Sequence, residues 1–245
     1  LRNFQRMFVG DPLFWQSLKV TANYVLASVP LQVVLGYAVA LLLNQKVRGL
    51  SIFRTIFYLP SVVSGVAVAL MWIWVFQPDM GIMNFLLRHV GIHGPKWLSD
   101  PNWALPTLIF TSLWGIGGGM LVYLAGLQSV PTHLYEAAEL DGAGRWQKFV
   151  HITLPMTSPV IFFSLLMGMI GSWQVFTAGY VMTSGGPANS TLFYVLYLYR
   201  NGWQYFRMGY ASALAWILCF IILLLTLLVF RTSGRWVYYE GQLRG

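Results

Sequence analysis

Three of the chain's seven acidic residues fall within six positions: Glu136, Glu139 and Asp141, with Arg145 and Lys148 close behind. Two glutamates three apart share one face of a helix. Paired carboxylates can serve acid–base chemistry, but these have no nucleophile beside them, so catalysis is a poor fit. The better use for such a pair is a charge-assisted contact with an Arg or Lys of another chain. Of His89, His93, His133 and His151, only the first two share a helical face, and no acid or Cys stands near them. Cys219 is alone, so neither a disulfide nor a metal framework can be built. The run GIGGG at 115–119 follows no strand and has no Lys after it, so it is no phosphate loop. Small residues at that spacing let helices pack closely.

The stretch from Tyr135 to Pro155 must present these charges. Pro131 suits the first turn of a helix. Leu134, Ala137, Ala138 and Asp141 follow helical spacing, and the first three make a small apolar face. Gly142 to Gly144 breaks the helix. Trp146, Phe149 and Val150 give a second short helix an apolar face that would hold the elbow to the protein, and Pro155 is expected to end it.

Around this stretch the chain is built for lipid. It is 57% hydrophobic and 9% charged, against about 25% charged in soluble proteins. The net charge of +8 is spread along the edges of apolar runs, which fits flanking anchors and excludes a nucleic-acid patch. The fold class is therefore all-α, a polytopic membrane helix bundle with five visible spans. They are expected near 20–45, 55–78, 104–127, 159–182 and 208–230, each able to cross with about 20 apolar residues. Residues 1–16 read as an interfacial lead-in, 17–231 as the membrane domain and 232–245 as a cytoplasmic tail. Lys46, Arg48 and Arg54 make the first loop basic and so cytoplasmic. Asn23 and Gln32 lie inside the first span, which Pro30 should bend. Pro60 and Gly65 should kink the second. Asp79 to Trp103 is an external segment in which Ile82, Phe85, Leu86 and Val90 form one apolar helical face. Ser184 to Thr191 reads as a turn, and the aromatic run 191–206 as too short to cross. The first residue is Leu1, and no cleavable signal is visible, so the sequence reads as trimmed at its start.

From Glu136 to Pro155 the residues resemble the EAA loop of type I ABC importer permeases: EAA, three residues, Gly, nine residues, Ile, any residue, Leu, Pro. Here these are Glu136, Ala137, Ala138, Gly142, Ile152, Leu154 and Pro155, and every defined position matches. GIMNFLL at 81–87, GGPANST at 185–191 and GYASALA at 209–215 look like the carbohydrate-uptake branch, and more like the first of its two permeases. The resemblance implies six spans in a full-length protein of the bacterial inner membrane. It implies a second permease, two ATP-binding subunits and an external solute-binding protein as partners. The loop, with Arg145 between its matched positions, would dock on the ATP-binding subunit. ATP and Mg would be held by that partner, with no cofactor or metal on this chain and no enzyme activity of its own. The solute would be a sugar, oligosaccharide or sugar phosphate such as glycerol-3-phosphate. Aromatic faces with neutral hydrogen-bonding groups suit such a solute, which nominates Asn23, Trp173, Gln174 and Phe176 as its path. A permease for peptides, amino acids or ions is the nearest alternative. A channel or secondary transporter is further off, because the span interiors carry no Asp, Glu, Lys or Arg.

Overall fold

The computed structural model describes residues 2–45 and 48–238. Lys46, one of the basic residues behind the expected orientation, lies outside the described residues, as does the tail beyond Tyr238. Among the described residues every regular element is helical. The helices are α1 (Arg2–Gly10), α2 (Pro12–Leu43), α3 (Leu50–Val62), α4 (Gly65–Val75), α5 (Ile82–His89) and α6 (Pro101–Ser112). They continue as α7 (Gly117–Gln128), α8 (Thr132–Leu140), α9 (Arg145–Lys148), α10 (Leu154–Trp173), α11 (Tyr194–Tyr199) and α12 (Met208–Ser233). Wider π turns occupy Phe149–Thr153, Gly179–Thr183 and Arg200–Gln204.

Three helices are long and apolar enough to cross a membrane: Pro12–Leu43, Arg145–Trp173 and Met208–Ser233. Two bent pairs bring the number to five if each is one span. The first, α3 with α4, turns by 98°, far beyond a proline kink. Its break falls at Val63–Ser64 and leaves Pro60 inside α3. The second turns by 48° where the Leu113–Gly115 turn interrupts α6 and α7.

The fourth span differs most from its expected place. The charge-free run suggested 159–182, but the helix begins at Arg145 and ends at Trp173. Absence of charge marks what lipid tolerates; it does not mark where a backbone turns. The aromatic run 191–206 is also more than an outer loop. Leu192, Phe193, Tyr194 and Leu196 are fully buried, and the Tyr194 N–H donates to Thr21 Oγ1 at 2.8 Å.

The contacts divide the chain into two units. Unit 1 comprises 1–29, 62–114 and 169–224; unit 2 comprises 30–61, 115–168 and 225–245. In unit 1, Asp11 caps α2 by accepting the N–H groups of Leu13 at 3.0 Å and Phe14 at 3.2 Å. Its other oxygen accepts the hydroxyls of Tyr197 and Tyr210, which fastens α11 and α12 to the start of α2. On α5 the expected apolar face, Ile82, Phe85 and Leu86, is exposed. The buried side is held by Asn84, which donates to Pro78 O at 2.8 Å and accepts Trp97 Nε1–H at 2.6 Å.

Unit 2 packs Tyr37, Ala40 and Leu43 of α2 against Met120, Tyr123, Leu124 and Leu127 of α7. Glycine permits a second close approach, of α7 to α3. A Cβ on Gly117 would overlap the backbone carbonyl of Phe57 in α3, so the packing role expected of the GIGGG run falls chiefly on this residue. Gly117→Ala should therefore lower unfolding stability in detergent by about 1–3 kcal/mol. Gly115→Ala, whose Cβ meets nothing within 4 Å, should change it little. Equal thermal midpoints for both variants would contradict this packing account.

Candidate functional site

The polar stretch forms an elbow within unit 2. Pro131 is the extended residue ahead of α8. At the other end of α8 the chain turns by a Schellman motif. The Ala143 N–H reaches Ala138 O at 2.8 Å and the Gly142 N–H reaches Glu139 O at 3.1 Å. Gly142 carries a φ of 78°, a left-handed conformation that costs a residue with a Cβ roughly 1–2 kcal/mol. Gln147 Oε1 then accepts the Gly144 N–H at 2.7 Å and starts α9.

Pro155 does not end the second arm, contrary to expectation. The helix runs unbroken for 29 residues from Arg145 to Trp173. A proline inside a helix lacks a donor and crowds the carbonyl four residues back. The π turn just ahead of it changes that register: the Leu154 N–H bonds Phe149 O. The elbow is thus built directly onto the start of a span.

Two contacts hold α8 to this arm. The Tyr135 hydroxyl meets Thr153 Oγ1 at 2.9 Å, and Lys148 Nζ pairs with Glu139 Oε1 at 2.7 Å. Tyr135 and Glu139 are four apart and so lie on one face. Glu136, Ala137 and Leu140 are exposed, and Leu140 is 91% so. Of the two glutamates expected to face a partner, Glu139 pairs with Lys148 of its own chain while its side chain stays 64% exposed, and Glu136 is exposed. Trp146 was expected to hold the elbow inward, but it is 74% exposed. Phe149 does that work, packing against the α2–α7 core. Ala138, Ile152 and Pro155 are half-buried; Gly142, Arg145 and Leu154 are exposed. Leu140 escaped the sequence reading because it lies off the apolar face; an unpaired apolar residue beside the Gly break was the available signal.

The nominated solute contacts all fall in unit 1. Trp173 is the last residue of α10, 6% exposed, with an indole N–H that has no partner. Gln174 is exposed in the turn after it and donates to Ile170 O at 3.1 Å. Phe176 stacks on Tyr180 at 5.2 Å and meets Tyr199 edge-on at 5.2 Å. Tyr199 in turn stacks on Trp203 at 5.8 Å. Asn23 sits on the exposed side of α2, between buried Thr21 and Tyr24. The sequence reading missed Tyr199 and Trp203 as neighbours of Phe176; their i, i+4 spacing is the trace they leave.

The exposed elbow stands on a polytopic helical chain, and the proteins it resembles are membrane transport components. The chain belongs to the family of binding-protein-dependent transport system inner membrane components, whose profile matches residues 32–237. It is a multi-pass membrane protein. It is 48% identical over 99% of its length, and 79% of the relative's, to the probable ABC transporter permease protein YesP of Bacillus subtilis. It is 37% identical to the lactose transport system permease protein LacF of Rhizobium radiobacter, covering 90% of this chain and 76% of that one. The fold also matches a chain in the crystal structure of a bacterial alginate ABC transporter in complex with an alginate pentasaccharide-bound periplasmic protein. There the TM-score is 0.86, with 28% identity over 95% of this chain and 82% of the other.

The hydrogen bond from Lys148, and then its charge, holds the Glu139 carboxyl below its usual range. A lowered folded-state pKa contributes stability above the unfolded value and loses it as pH falls through the folded value. A spin label at Leu140→Cys, in a Cys219→Ser background, should therefore keep its mobility from neutral pH through the ordinary carboxylate range. It should loosen only at a pH below that range. Loosening centred within the ordinary carboxylate range would contradict the pairing.

Proposed function

We propose that this chain is the membrane permease subunit of an ATP-driven importer of carbohydrates, coupled to a separate ATP-binding subunit through residues 131–155. The observation that carries the reading is the elbow: Glu136, Ala137 and Leu140 face outward on a helix whose inner face is fastened to a span. A carboxylate beside a bare apolar side chain suits a partner groove with a basic rim. Arg145 and Trp146 are exposed on the second arm. The remaining partners are a second permease, a second ATP-binding subunit and an external solute-binding protein, in the bacterial plasma membrane. Membership of a binding-protein-dependent family and the likeness to an alginate transporter bound to a periplasmic protein support that assembly. ATP and Mg belong to the partner, and this chain supplies no cofactor site.

Closure of the ATP-binding subunits carries the elbow with it, and α10 moves as its continuation. The carbohydrate class is supported by the relatives named for lactose and alginate. On this chain it is supported by the Phe176–Tyr180–Tyr199–Trp203 ring cluster and by the buried indole N–H of Trp173. A donor without a protein partner is one that a sugar hydroxyl can satisfy. Asn23 and Gln174 add exposed amides to the path.

Glu136→Lys and Gly142→Val should each lower uptake by about tenfold, the effect of roughly 1.4 kcal/mol of lost docking, while the protein still inserts in the membrane. Normal uptake by both would overturn the coupling role. In the assembled transporter, Gln174→Ala should weaken solute affinity with ATP hydrolysis retained; unchanged affinity and selectivity would remove Gln174 from the path.

A further inference from the structure

We propose that the hydroxyls of Tyr135, Thr153, Thr157 and Tyr37 form a relay that carries displacement of the elbow through the π turn into α10 and α2. This rests on the docking role of the elbow and names the residues on this chain that transmit its motion.

The relay has two limbs that meet on one turn of helix. Tyr135 of α8 contacts Thr153 Oγ1 at 2.9 Å, at the end of the π turn. One turn on, Thr157 Oγ1 meets Thr153 O at 2.7 Å and Tyr37 Oη at 2.7 Å. Thr157 is 1% exposed and Tyr37 8%, so this contact is shielded from water. Proton accounting gives the chain a direction. A threonine hydroxyl has one proton. Thr157 gives its proton to the Thr153 carbonyl, so Tyr37 must be the donor to Thr157. Thr153 Oγ1 faces Lys148 O at 3.4 Å, and a proton spent there makes Tyr135 the donor in the outer contact. Both limbs then end on carbonyls that frame the π turn, Lys148 and Thr153.

The contrast with the second fastening is what makes this a relay. The Glu139–Lys148 pair is exposed on its acid side, 64% by side chain, where such pairs stabilise weakly and yield easily. The hydroxyl contacts are directional and mostly shielded. They converge on a stretch of helix whose hydrogen-bond register already departs from the α pattern. Such a turn is the kind of element that both a docked partner and a span can bias.

The test uses the full transporter with its ATP-binding subunits, in a Cys219→Ser background. Spin labels are placed at Leu140→Cys on the elbow or at Met167→Cys on α10, which is 54% exposed. The probe is Mg-ATP with vanadate. With the relay intact, both labels should respond. In Tyr135→Phe and in Thr157→Val, the Leu140 response should persist and the Met167 response should fall by about fivefold, the shift expected from one net hydrogen bond. Thr157→Ser, which keeps the hydroxyl, should restore it, and Lys148→Ala should leave it nearly intact. An unchanged Met167 response in both hydroxyl variants, with Leu140 still responding, overturns the relay alone. A Leu140 label that ignores ATP even in the unaltered relay overturns the docking role and the relay with it. Equal losses from Lys148→Ala and Tyr135→Phe would show that both fastenings carry the motion and would overturn the relay as its distinct path.

Discussion

A helix can stop and reverse only where its last carbonyls find other donors, and at Gly142 they do. The bonds from Ala143 to Ala138 and from Gly142 to Glu139 close α8 within a single left-handed residue. Everything distinctive about the elbow depends on that closure. It returns Lys148 to Glu139 and Thr153 to Tyr135. It leaves Glu136 and Leu140 with no role inside the chain that the contacts reveal. A longer or looser turn would let α8 swing free of α10, and a partner pulling on it would move only the loop.

The same demand for satisfied backbone shapes the rest of the molecule, because lipid offers no donors or acceptors. Asp11 Oδ1 accepts two N–H groups at the start of α2. Asn84 gathers the segment between α4 and α6 by bonding Pro78, Pro95 and Trp97 at once. Pro155 sits in a continuous helix because the π turn ahead of it shifts the register. Polar residues in this chain are few, and many of them hold a helix end or a break.

The membrane class was legible because charge is excluded from lipid over long runs, and any sequence must show that. The EAA spacing was legible because one Gly must sit at the helix end and the flanking charges must stay in water. Helix ends inside charge-free runs were not. The stop at Trp173 and the break at Val63 leave the hydropathy of their neighbours unchanged. Nor could the sequence show that Glu139 has a partner nine residues on. Two acids three apart look alike until the turn between the arms brings Lys148 to one of them. Trp146 misled for a related reason: an aromatic residue on an apolar-looking face reads as buried, while the structure gives that place to Phe149.

The central claim is that the outward face of α8 is the surface gripped by the ATP-binding subunit. The most direct measurement is site-specific photocross-linking in the assembled transporter, with a benzophenone side chain at position 140 and, separately, at position 135. The account predicts capture of the ATP-binding subunit from position 140 and none from position 135, which faces the protein's own second arm. Capture from position 135 with none from position 140 would contradict it.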